Sequence, residues 1–173
     1  MSIANHFLAE FEVQAPITRK FLERVPADKL TWKPHEKSLT AGQLALHIAA
    51  GWAGILRLVQ KNPQTTDGQF RFPDPADHGF ILHTFDNSVA FVKENLPKFS
   101  DAEMNESWRL MLGDRVVAEM PRADFVRNIM FSHLYQHRGQ LSVYLRMLDV
   151  PVPASWGPSA DEPPLFMQRK QAE

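Results

Sequence analysis

Cysteine is absent from this chain, and that single absence removes thiolate nucleophiles, zinc ribbons, iron–sulfur ligation and a disulfide framework together. Any metal site must use nitrogen and oxygen donors. Net charge is nearly absent as well. The 19 Lys plus Arg against 20 Asp plus Glu leave -1, so no global field gathers a polyanion such as nucleic acid. The N-terminus has no basic segment leading into an apolar one, and Glu10 and Glu12 arrive early, so no cleaved signal is expected and the cytoplasm is the expected location. Long hydrophobic runs are missing too. Ser38 to Leu56 lacks Asp, Glu, Lys and Arg, yet Thr40, Gln43 and His47 interrupt it, whereas a membrane span needs about 20 mostly apolar residues. It reads as a buried helix of a soluble protein. No internal repeat or low-complexity tract is visible.

What is present is 44% hydrophobic and 23% charged residues in 173, the composition of one globular domain over residues 1–173. Residues 150–173 form a Pro-rich tail. A first helix from about Ser2 to Arg24 carries Ile3, Phe7, Phe11, Ile17, Phe21 and Val25 at near-helical intervals, with Pro16 expected to kink it or leave a bulge. Thr40-Ala41-Gly42-Gln43 is a capping-box pattern that should start the second helix. Its inward stripe is expected at Leu44, Ile48, Gly51, Ile55 and Leu58, as in an antiparallel bundle. Asn62 to Asp77 suits a long connection crossing the end of the bundle or covering an opening. A third helix, about His78 to Leu96, would turn Ile81, Phe85, Val89, Val92 and Leu96 inward. Ser107–Met111 and Arg115–Glu119 flank Leu112-Gly113-Asp114, which fits a short hairpin. The last and longest helix should run from Pro121 to about Leu148, ahead of Pro151. The fold class expected is all-α, a helical bundle with a short hairpin before the last helix.

On that last helix Phe125, Ile129, His133, His137, Leu141, Tyr144 and Leu148 share one face, so two histidines stand where Leu is usual. Spaced i and i+4, they lie about 5 to 6 Å apart at Cβ and can aim at one point. His47 borders the inward stripe of the second helix and is the natural third donor. Gly51 and Gly54, one and two turns beyond it, leave room for a pocket or for a close helix approach. A lone buried histidine is ordinarily satisfied by a carbonyl or carboxylate, but two adjacent imidazoles in a dry seam both need partners, and one metal ion serves both. A metallopeptidase helix would need Glu after the first His; Leu134 stands there instead. A haem bundle is disfavoured because the seven Met read as core filler. His6, His35, His78 and His83 have no comparable pairing and fall outside the site. Trp52, Trp108 and Trp156 read as core or interface residues. Arg138, Gln140 and Tyr144 are the candidates for supporting roles around the pair.

The run His133-Leu134-Tyr135-Gln136-His137-Arg138-Gly139-Gln140-Leu141, followed by Tyr144-Leu145-Arg146, resembles the last-helix signature of the DinB/YfiT-like superfamily. Leu44-Ala45-Leu46-His47-Ile48 looks like its second-helix histidine motif. The similarity also takes in Trp32-Lys33-Pro34 and the Gly157-Pro158-Ser159-Ala160-Asp161-Glu162 tail. The resemblance implies an up-down-down-up four-helix bundle, often homodimeric, with a divalent ion, zinc or nickel, on the histidines matching His47, His133 and His137. It implies metal-dependent hydrolases or low-molecular-weight-thiol transferases and isomerases among the active members, and stress-associated proteins among the rest. Fold alone does not select the reaction.

The function expected is therefore a metal-dependent enzyme, hydrolase or thiol S-transferase, acting on a small molecule in a cleft between helices. The alternative is a dimeric, metal-stabilised protein without turnover.

Overall fold

The computed structural model describes residues 1–168; the rest of the expected Pro-rich tail, 169–173, lies outside the described residues. The chain is mostly helical with a small three-stranded sheet. Helix α1 (Ile3–Glu23) begins at Ser2, whose Oγ accepts the Asn5 N–H, and it runs through Pro16 without ending. Helix α2 (Ala41–Val59) is followed by strand β1 (Gln64–Thr66) and helix α3 (His78–Asn95). A short helix α4 (Asp101–Asn105) leads into strands β2 (Ser107–Leu112) and β3 (Arg115–Pro121). Helix α5 (Arg122–Phe125), a π-helical turn (Val126–Ser132) and helix α6 (His133–Met147) follow, and α7 (Leu165–Gln168) closes the described chain.

Helices α1, α2, α3 and α6 share one apolar core. Trp52 sits at its centre, edge-on to Phe11 at 4.7 Å and beside Phe85 at 5.9 Å. Trp108 is also buried, against Phe125, while Trp156 is exposed. Among the described residues α2 alone is long and apolar enough to cross a membrane, and over half of it is buried inside the protein.

The inward face of α2 differs from the expected stripe. Leu44, Ile48, Trp52, Leu56 and Val59 are buried, whereas Ile55 and Leu58 lie at the margin. The bulk of Trp52 draws the helix round toward α1 and α3. The last helix is likewise not one uninterrupted α-helix. Its π turn carries i→i+5 hydrogen bonding, and the buried residues there are Val126, Met130 and Phe131, with Ile129 only half-buried. The hairpin is present, with Gly113 at φ 58° in its turn and β2 antiparallel to β3. Strand β1 lies within the expected 62–77 connection and pairs in parallel with β2, Gln64 opposite Leu110.

Two arginines fasten the helices to this frame. Arg122, 4% exposed, donates from Nε to the Val59 carbonyl at the end of α2 and from Nη1 to the Glu103 carbonyl. Its Nη2 meets Glu106 Oε2 at 2.9 Å. Arg127 grips both oxygens of Glu10 on α1, at 2.9 and 2.7 Å, and Tyr135 Oη donates to the same carboxylate at 2.8 Å. Beyond α6 the chain turns back through Asp149 in the left-handed region, φ 57°, with Val150 N–H bonding the Leu145 carbonyl. Asp161 and Glu162 then pin the tail. Asp161 accepts from Val152 N–H and pairs with Arg146; Glu162 accepts from Ala154 N–H and pairs with Arg24.

Truncating Arg122 to Ala orphans the carbonyls it serves, and urea melts should show about 2 to 4 kcal/mol lost. The Glu10 carboxyl is held below its ordinary 4.5, first by the Arg127 hydrogen bond and then, against the opposing effect of burial, by Tyr135. A depressed carboxyl stabilises the fold at pH above 4.5 and loses that contribution as pH falls through its lower folded value. Glu10→Gln should therefore be about 1 kcal/mol less stable at pH 7. Its stability should fall less steeply than that of the parent in acid, as read from thermal melts across pH 7 to 3.

Candidate metal centre

His47 owes its position to the start of α2. The Thr40 hydroxyl accepts the Gln43 N–H at 3.1 Å and the Gln43 side chain accepts the Thr40 N–H at 3.0 Å, the capping box expected from sequence. The Ala41 and Gly42 N–H groups bond the Trp32 and Leu30 carbonyls, which fixes the helix to the preceding connection. A Cβ on Gly51 would lie 2.6 Å from Leu134 Cδ2, so Gly51 marks a close approach of α2 to α6. Gly54 faces open space instead. Of the two readings open for these glycines, Gly51 bears out the close helix approach.

Helix α6 begins at His133, and one turn later comes His137. Their Nε2 atoms are 2.9 Å apart. The His47 ring lies 5.4 Å from that of His133 and 4.7 Å from that of His137, centroid to centroid. One donor atom from each ring falls within 4.8 Å of the others. Among the described residues this is the one group of three or more His, Asp or Glu side chains close enough to share an ion.

The electrostatics favour the neutral form of His47 and His133. Burial, then the proximity of His137 and His133, pushes His47 down from 6.5 to about 4. His133 is lowered by burial and by His137; the Ile129 carbonyl opposes this without reaching a hydrogen bond to Nδ1. Neutral imidazole is the ligating form. His137 Nδ1 lies 3.0 Å from Gln140 Oε1, which can only accept, so in the neutral tautomer this contact selects, Nδ1 carries the proton and Nε2 the lone pair. Gln140 Nε2 approaches Tyr144 Oη at 3.4 Å, and that hydroxyl donates to the Leu39 carbonyl.

The donor set fits a divalent ion of borderline softness. His47 Nε2 and His133 Nδ1 are buried without a hydrogen-bond partner among the described residues, and an unsatisfied buried polar atom costs about 1 to 3 kcal/mol. Coordination through His47 would satisfy one of these atoms. The cluster holds three histidines and no carboxylate among the described residues, so a dication here would meet only nitrogen donors from it.

The supporting candidates separate. Gln140 contacts His137, Tyr144 supports Gln140 and packs edge-on to Trp32 at 5.5 Å, and Arg138 faces α1 instead. Phe72, not singled out from sequence, stands edge-on to His47 at 5.2 Å from the connection between α2 and α3. The aromatics within that polar segment were its signal. His78 is spent on the Leu22 carbonyl and His35 on the Lys37 N–H, both outside the cluster as expected.

The uncharacterized protein YrdA of Bacillus subtilis (strain 168) is 26% identical over 164 residues, covering 91% of this chain and 90% of its own. A DinB-like protein from Bacillus cereus ATCC 10987 superposes with a TM-score of 0.68 at 22% identity, over 86% of this chain and 95% of that one. The DinB-like protein YjoA from Bacillus subtilis does so at 0.63 and 17% identity, over 87% and 95%. The family model described as DinB family matches residues 1–164, and the chain belongs to the DinB family.

Proposed function

We propose that this protein is a metal-dependent enzyme of the up-down-down-up bundle type, a hydrolase or low-molecular-weight-thiol S-transferase, acting on a small electrophile beside His47, His133 and His137. The observation that carries the reading is the convergence of three half-buried imidazoles from two helices, with no carboxylate in the cluster among the described residues. A divalent ion held by these rings, zinc or nickel, would act as a Lewis acid that lowers the pKa of a coordinated water or thiol.

The chain's own residues supply the rest. Gln140 holds the proton on His137 Nδ1 and so presents Nε2 as a donor; Tyr144 and the Leu39 carbonyl hold Gln140. Phe72 shields one side of His47 from water and offers an apolar surface to substrate. With no carboxylate in the cluster among the described residues, the charge of a bound ion would stay uncompensated, which would favour an anionic nucleophile at this point. The reading carries with it a cytoplasmic homodimer that needs neither nucleic acid nor membrane.

Elemental analysis of protein purified without an affinity-tag metal should find about one divalent ion per chain. His137→Ala should lose that ion while its far-UV circular dichroism is unchanged; full metal content in this variant overturns the ligand assignment. Gln140→Leu keeps all three rings and should bind the ion about 10- to 100-fold more weakly, as measured by competition with a chromogenic chelator. Turnover of esters, amides or electrophiles paired with glutathione-, bacillithiol- or mycothiol-like thiols should vanish on chelation and return with metal. A chelator that lowers only the melting temperature, with no turnover of any of these, favours the metal-stabilised, non-catalytic reading.

A further inference from the structure

Helix α6 presents a second polar group to a different cavity. Arg138 follows His137 directly, so the helical step turns it away from the imidazoles and toward α1. It is only 9% exposed. Its Nη1 donates to Gln14 Oε1 at 2.9 Å and to Thr18 Oγ1 at 3.1 Å, both neutral acceptors, and the Tyr135 ring lies 5.1 Å from its Cζ. Among the described residues no carboxylate pairs with it, and its Nε and Nη2 make no hydrogen bond. Arg122 and Arg127 differ in this respect, since each has a glutamate. A guanidinium cannot shed its charge, and a charge so deeply placed calls for a counter-charge.

A cleft of about 310 Å³ opens between the end of α1, α6 and the tail, with Arg138 on its wall. Arg138 is the one charged residue there. Ser142 and Ser155 add polar surface; Phe21, Val152 and Pro153 add apolar surface. The nearby acids of the tail, Asp161 and Glu162, are turned to Arg146, Arg24 and backbone N–H groups. We infer that this cleft binds a small organic anion, an apolar body bearing a carboxylate or phosphate group that the Nε–Nη2 edge of Arg138 grips side-on. That edge is the one suited to two parallel N–H···O bonds. The apolar wall beside it accommodates the body, and the site is separate from the histidine cluster, which α6 carries on another side.

The test is an NMR titration of the ¹⁵N-labelled full chain, in low-salt buffer, with butyrate, butyl phosphate and inorganic phosphate in separate arms. Saturable shifts of the Arg138 Nε–H and of the Gly139, Ser142 and Ser155 amides with butyrate or butyl phosphate are expected, and the tighter of the two names the head group. Saturation by inorganic phosphate alone overturns the organic-acid assignment; no saturable shift in any arm overturns the site. Arg138→Met should weaken binding by about tenfold or more. Ser142→Glu places a carboxylate one turn along the same helix, where it can neutralise the guanidinium, and should weaken binding to the same degree. It leaves the buried Arg138 in place, so it keeps the test decisive if Arg138→Met fails to fold. Unchanged binding in a folded Ser142→Glu variant overturns the proposal.

Discussion

The close contact of Gly51 with Leu134 sets the terms for everything polar nearby. Leu134 is buried and follows His133; Gly51 lies one turn past His47. The missing Cβ lets the leucine side chain settle against the backbone of α2, and that spacing brings His47 to within about one ring's width of the other two imidazoles. Burial there, together with the nearby His137 and His133, drives His47 down to about 4. Packing and protonation state at this place are thus one constraint. Apolar burial that the histidines forgo in the seam is recovered beside them by the leucine.

Legibility in the sequence tracked the range of the interactions involved. The i, i+4 pair His133 and His137, the capping box at Thr40 and Gln43, and the hairpin around Gly113 are decided within a few residues, so local spacing revealed them. His47 as the third partner required only that two amphipathic faces meet. Strand β1 was hidden because three residues of a loop carry no periodicity, and their partner β2 lies far along the chain. Along the last helical stretch Phe125, Leu141 and Tyr144 are buried as their spacing predicts, whereas Ile129 gives way to Met130 because the turn there is wider than 3.6 residues. No Pro or Gly between Val126 and Ser132 announces the wider turn. On α2, the pull of Trp52 toward Phe11 and Phe85 outweighed the simple spacing of Ile55 and Leu58. Arg138 sat beside the histidine face on a helical wheel, and only the location of α1 decided which way it turned.

The outer support of the cluster runs through uncharged groups alone. From His137 it passes to the Gln140 amide, the Tyr144 hydroxyl and the Leu39 carbonyl in the connection that precedes α2. A carboxylate in place of Gln140 would orient the ring equally well, but would add negative charge beside the donors. The amide orients without compensating, which preserves whatever positive field a bound ion brings. Leu39 immediately precedes Thr40, the N-cap of the helix that carries His47. The hydrogen bonds that steer one ligand therefore end on the segment that anchors another.

The π turn ahead of His133 separates the last helical stretch into two mechanically distinct halves. Before and within the turn, Phe125, Val126 and Met130 belong to the apolar interior; downstream, α6 carries the imidazoles on one side and the guanidinium on another. Removing one residue from the turn would tighten it to ordinary α pitch and rotate one half against the other by about 100°. Either the interior or the histidines would then lose registry. A chain that keeps both in place must conserve the length of this segment even where the identity of its residues drifts.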